Sequence, residues 1–215
     1  MHMKKIATVV LLLCASLSVV AQKQEKVKIQ GHHGLLDAVI TIPRLADGER
    51  VPMVIMCHGF NANKMYPGLA MAERLQAAGI ASIAFDFNGH GDSEGRFQDM
   101  TVQNEVGDAC CIYKYVRALP YISYVGVAGH SQGGVVAGLL AAQLGESKIA
   151  CVAQLAPAAV LREDALRGTI FGRQYNALDP PEAVEVFGDI KLGRTFVLEA
   201  QRLPLFQHAA RYTGA

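Results

Sequence analysis

The stretch VAGHSQGGVV, residues 127–136, sets Ser131 between Gly129 and Gly133 at Gly-x-Ser-x-Gly spacing. Before it, the apolar run YVGVA at 124–128 reads as a buried strand. After it, VVAGLLAAQL at 135–144 reads as a helix that ends at Gly145. A strand that turns directly into a helix around a serine makes a sharp bend with the hydroxyl on its outer side, and the flanking glycines let neighbouring backbone pass close by. The spacing recurs by chance in a chain with 21 glycines, and a serine at a helix start can be a plain N-cap. Its place between strand and helix favours a nucleophile elbow.

Working outward, Met53–Cys57, the run IASIAFDF at 80–87 and the run IACVAQLAP at 149–157 are also apolar without alternation. Such runs suit strands covered on both faces of a parallel sheet. Val27 and Ile29 alternate with Lys26, Lys28 and Gln30, and LLDAVITIP follows a glycine turn, which predicts an antiparallel hairpin ahead of them. Helical patterns lie between the runs, at Leu69–Ala78 and at Val102, Val106, Ala109, Tyr113 and Val116. This alternation predicts an α/β fold with a doubly wound, mostly parallel sheet, in which ligands gather at the carboxyl ends of the strands. After Pro157 the pattern changes: residues 158–210 carry scattered aromatics among glycine, proline and charge, and read as a lid over the sheet.

The exceptional residues sit at strand ends. Acyl transfer needs fixed N–H donors for a developing oxyanion, and the Gln132 amide at the helix start and the Phe60 amide in CHGF at 57–60 are the candidates. His58 and Gly59 then support the oxyanion loop, and Gly129, His130 and Gly133 support the elbow. In the run DFNGHGDSEG at 86–95, Asp86, His90, Asp92 and Glu94 resemble a ligand cluster, but glycine-spaced residues of this kind more often build a tight loop with Asx turns. No metal is expected.

Residues 1–21 pair Lys4 and Lys5 with a short apolar run and a small-residue close at Ala21, and read as a secretory signal peptide. The run falls short of the roughly 20 residues that a membrane span needs. Secretion or a periplasmic address follows, with no stable membrane association after cleavage. Removing Lys4 and Lys5 turns 20 basic and 19 acidic residues into 18 and 19, a net charge of −1, which offers nothing to nucleic acid. Cys57, Cys110, Cys111 and Cys151 read as buried small apolar residues, with a disulfide as the minority reading.

The segments CHGFNANK, FDFNGHGDSEG, GHSQGGVVA and QLAPAA together resemble the α/β-hydrolase superfamily and, within it, bacterial feruloyl and cinnamoyl esterases, over about residues 27–210. The resemblance implies a serine carboxylic-ester hydrolase that works through an acyl-enzyme on a small-molecule ester, without metal or organic cofactor. It implies a lid after the sixth strand shaping an aromatic acyl pocket, with the 86–95 loop as a structural rim. It also implies substrate contacts at Asp164, in REDALRG, and at Phe196, in GRTFVLEAQ, where the family has a tyrosine. A serine peptidase or thioesterase of the same fold, and a catalytically incomplete fragment, are the competing readings.

In this fold the triad runs Ser, then acid, then His along the chain. Only His208 follows Ser131. It lies in the lid-like stretch and reads as an exposed polar residue, as Asp189 and Glu199 read as lid acids and not as the triad acid. The expectation is that the chain ends C-terminally incomplete, with residues 211–215 starting a missing part of the core and with acid and base both absent.

Overall fold

A computed structural model describes residues 23–215; the signal-peptide reading lies outside them. The order is β1 (Lys23–Gln30), β2 (Leu35–Ile42), β3 (Val51–Cys57), α1 (Ala70–Ala77), β4 (Ala81–Phe85), α2 (Val102–Ala118), β5 (Ile122–His130), α3 (Gln132–Leu144) and β6 (Val152–Leu155). The six strands form one sheet in the order β1-β2-β4-β3-β5-β6. The first hairpin is antiparallel and β2 joins β4 antiparallel, whereas β4, β3, β5 and β6 run parallel. This is the doubly wound α/β-hydrolase arrangement.

The apolar runs explain the sheet. All five residues of β4 are buried, so both of its faces are covered. α1 packs against β4 and β2, while α2 and α3 pack against each other and against β3 and β5. α2 starts where the Thr101 hydroxyl accepts the Asn104 N–H at 3.1 Å, an N-cap that satisfies an otherwise orphan donor.

β6 departs from the sequence reading. Its residues are half-buried or exposed, and Cys151 is exposed, not buried. Among the described residues β6 pairs only with β5, and on its other side the Val152 N–H donates to the Ala215 carbonyl at 2.8 Å. An apolar run signals affinity for cover, but the cover depends on position in the sheet, and among the described residues β6 is an edge.

The segment after Pro157 is more regular than its composition suggested. It forms α4 (Leu161–Arg167), β7 (Thr169–Ile170), β8 (Arg173–Gln174), β9 (Ala183–Phe187), β10 (Ile190–Gly193), α5 (Arg194–Ala200) and α6 (Leu205–Ala209). β7–β8 and β9–β10 are small separate hairpins. Strands of two to five residues are too short to show a period in sequence.

Candidate active site

Ser131 stands between the last residue of β5 and the first of α3 with φ 55° and ψ −120°. A non-glycine residue at positive φ is strained, and it persists only where its surroundings fix it. Here the Ser131 N–H donates to the Leu155 carbonyl, and the Ser131 carbonyl accepts from Gly134 and Ala158, each at 3.0 Å. A Cβ on Gly129 would collide with the Gly133 backbone, and one on Gly133 with the carbonyls of Cys57 and His58. Close approach therefore requires both glycines, Gly129 within the elbow and Gly133 against the neighbouring strand end. The Ser131 hydroxyl has no hydrogen-bond partner among the described residues.

The amides of Phe60 and Gln132 have no acceptor among the described residues, which leaves both N–H groups free. The loop bearing Phe60 is anchored from beneath. Buried His58 accepts the Phe87 N–H at Nε2 (3.1 Å), so its proton sits on Nδ1 and is donated to the Gly59 carbonyl at 2.9 Å. Burial, with His90 adding to it, pushes the His58 imidazole down to about 3, which keeps it neutral. The His130 ring packs edge-on to Tyr66, with centroids 5.1 Å apart.

One small cavity of about 90 Å³ brings Ser131, Phe60 and Gln132 together with Asp164 of α4 and Phe196 of α5. Its remaining wall includes Leu161, Ile170, Phe171 and Tyr175. Phe60 is the hub of an aromatic cluster: Phe171 lies 4.7 Å away between centroids, Phe97 5.3 Å, and Phe187 and Phe196 each 6.3 Å. These edge-on and tilted contacts join Phe60, Phe171 and Phe196 of the cavity wall to Phe97 and Phe187 outside it. Tyr175 was not singled out from sequence. Burial raises its phenol, with the Asp164 carboxylate raising it further, and both residues line the cavity.

The other candidates lie elsewhere. No histidine among the described residues lines the cavity; His208 is on α6, which packs on α3, and its ring has no hydrogen-bond partner among those residues. The Glu199 carboxylate accepts the Gln103 N–H at 2.8 Å, and Asp189 borders a different pocket beside Lys191. Asp86 and Asp92 do meet, joined by Asp37, and the Lys64 ammonium bonds all three. His90 instead packs against His58 and Phe97, and Glu94 accepts the Leu35 N–H.

The sequence profile described as Serine aminopeptidase, S33 (Hydrolase_4) matches residues 48–178. The quorum-quenching protein AidA of Acinetobacter baumannii (strain MDR-ZJ06) is 32% identical over 109 residues, 49% of this chain and 35% of AidA. An uncharacterized 31.7 kDa protein of the traX-finO intergenic region in Escherichia coli is 30% identical over 130 residues, 58% of this chain and 44% of that protein. The chain thus spans less than half the length of these curated relatives. Among solved structures, Est1E from Butyrivibrio proteoclasticus with ferulic acid bound superposes with a TM-score of 0.82 at 28% identity, covering 87% of this chain and 75% of Est1E. The Pyrococcus furiosus esterase PF2001, at 23% identity and a TM-score of 0.58 over 69% of this chain and 54% of that one, shares the fold.

Proposed function

The chain belongs to the serine aminopeptidase S33 family of the α/β-hydrolase superfamily, and on that premise we propose that it carries the chemistry of a serine carboxylic-ester hydrolase acting on small aryl esters. The observation that carries the reading is the single cavity joining Ser131, the free amides of Phe60 and Gln132, the aromatic wall and Asp164. In this reading the Ser131 Oγ attacks the ester carbonyl, its electrons move onto the carbonyl oxygen, and the two amides hold that oxyanion. Collapse expels the alcohol and leaves an acyl group on Ser131, which water then removes. His58, Gly59, Gly129, His130 and Gly133 hold the frame.

The attacking hydroxyl must also lose its proton, and no imidazole among the described residues lines this cavity. The described residues therefore supply the binding and oxyanion half of the reaction and not its base. The likeness to Est1E supports an acyl pocket for a ring such as ferulate, with Asp164 and Tyr175 toward a ring hydroxyl and Phe196 in the wall. An aminopeptidase is the second reading. Its specific support is that Asp164 is the one carboxylate among the described residues that line the cavity, and it would pair equally well with a substrate ammonium. A secreted or periplasmic address remains a proposal resting on residues 1–21; no helix among the described residues is long and apolar enough to cross a membrane.

The test is covalent labelling with a fluorophosphonate, followed by peptide mass spectrometry, on wild type and Ser131→Ala. Slow label on Ser131, unassisted by any base among the described residues, that disappears in the variant is expected. Label on another residue, or ester turnover that survives Ser131→Ala, would remove Ser131 from the reaction. Comparing feruloyl esters with aminoacyl anilides separates the two substrate readings.

A further inference from the structure

Gln132 contributes a side chain to the elbow as well as an amide. The side chain is buried and reaches back to α2, where Nε2 donates to Glu105 Oε2 at 2.8 Å and lies 3.4 Å from Met100 Sδ. Glu105 is 1% exposed and has no cationic partner among the described residues. The groups that face it are Asp108 from its own helix, Glu199 from α5 and the Cys57 thiol from the end of β3, none of which favours a negative charge there. Burial, ahead of the repulsion from Asp108 and Glu199, raises the Glu105 carboxyl well above the ordinary range, although its bond to Gln132 opposes this. Cys57 is likewise pushed up by burial and stays a neutral thiol.

Two buried oxygens in this bonded pair have no partner: Glu105 Oε1 and Gln132 Oε1. An ionised Glu105 would leave both orphaned and bury an uncompensated charge, the costliest arrangement available. One proton resolves both. A neutral carboxyl offers an O–H on Oε1, which is the donor that Gln132 Oε1 lacks.

We propose that Glu105 is a neutral positioning residue whose carboxylic acid closes a two-bond ring with the Gln132 carboxamide, Nε2–H to Oε2 and Oε1–H to Oε1, and so fixes the turn that presents Ser131 and the Gln132 amide. The functional part rests on the reading of that amide as an oxyanion donor. The ring itself does not. Glu105 acts through Gln132 and touches no substrate.

The ring is read in the whole chain by infrared difference between wild type and Glu105→Gln. A protonated-carboxyl C=O band at pH 7, absent from the variant, is expected, and its absence from wild type would overturn the proposal. By NMR, the Gln132 side-chain amide protons should shift in step with loss of that band as the pH is raised; a Gln132 signal indifferent to the band's loss would also overturn it. Glu105→Gln, whose carboxamide preserves one donor and one acceptor, should keep Ser131 labelling within about threefold of wild type. Glu105→Leu, of similar volume, should lower it at least tenfold with helical circular dichroism retained. Equal labelling in the two variants would overturn the positioning role. A wild-type chain labelled away from Ser131 would sink the active-site reading while the infrared and NMR results still decide the ring.

Discussion

The ammonium of Lys64 lies 2.6 Å from Oδ2 of Asp86, a carboxylate with no exposed surface, and 2.9 and 2.8 Å from Asp37 and Asp92. It occupies the point where these three acids, whose ligand atoms all fall within 4.8 Å of one another, could otherwise hold a cation. Asp86 also accepts the backbone N–H groups of Lys64 and Asp92, so this cluster ties the loop after Phe60 to the glycine-rich loop after β4. Lys64→Met should cost about 3 to 5 kcal/mol in urea unfolding, because it leaves a buried charge uncompensated. Millimolar calcium should recover part of the loss by taking the vacated position. A cost below about 1 kcal/mol, or no calcium dependence, would contradict this account.

The Asp164 and Tyr175 pair sets a second expectation. If the cavity receives a hydroxylated ring, Asp164→Ala and Tyr175→Phe should each weaken ferulate binding about tenfold, about 1.4 kcal/mol for one lost hydrogen bond, and leave cinnamate binding nearly unchanged. Calorimetric Kd values for the two acids measure this without requiring turnover. Equal losses for both ligands would remove the pair from ring recognition.

Asp108 makes stability depend on pH. Burial raises its carboxyl to about 6, against the opposing effects of the Asn88 N–H and His33. A folded state that holds the proton more tightly than the unfolded chain gains stability from this group in full below about pH 4, and loses it as the pH rises through about 6. Asp108→Asn, which keeps an acceptor for the Asn88 N–H, should flatten stability over that window. At pH 7 it should be the more stable protein, by up to about 3 kcal/mol. Urea unfolding at intervals from pH 4 to pH 7.5, referenced to wild type, gives the difference curve; a less stable variant at pH 7 would refute it.

His58 carries the opposite sign. A folded imidazole held near 3 is neutral where the unfolded one charges, so its contribution is complete above about pH 6.5 and lost as the pH falls toward 3. Nitrogen NMR should find the proton on Nδ1, a bare Nε2, and no titration of this ring down to about pH 4. A midpoint near the ordinary imidazole value would disprove the buried tautomer.

The elbow was legible in sequence because it is local: ten residues hold a strand end, two required glycines and a helix start. The helices around it were legible through their period. Exposure of β6 and Cys151 was not, since an edge is a property of topology and the run carries no mark of it. The partners of Lys64 stand at positions 37, 86 and 92 and meet only once the sheet forms. The family resemblance pointed to Phe196, whereas the phenol that shares the cavity with Asp164 is that of Tyr175, on the chain after β8. Glu105 did leave a trace, an acid on the apolar stripe of Val102, Val106 and Ala109, and an acid at such a position has to be paired or neutral.

Ser131 could be exchanged for glycine without loss of any side-chain bond, and the turn would shed a left-handed strain of about 1 kcal/mol. Folding by itself thus pushes this position away from serine. In a lineage with no use for the hydroxyl, neutral drift would run downhill toward glycine at 131.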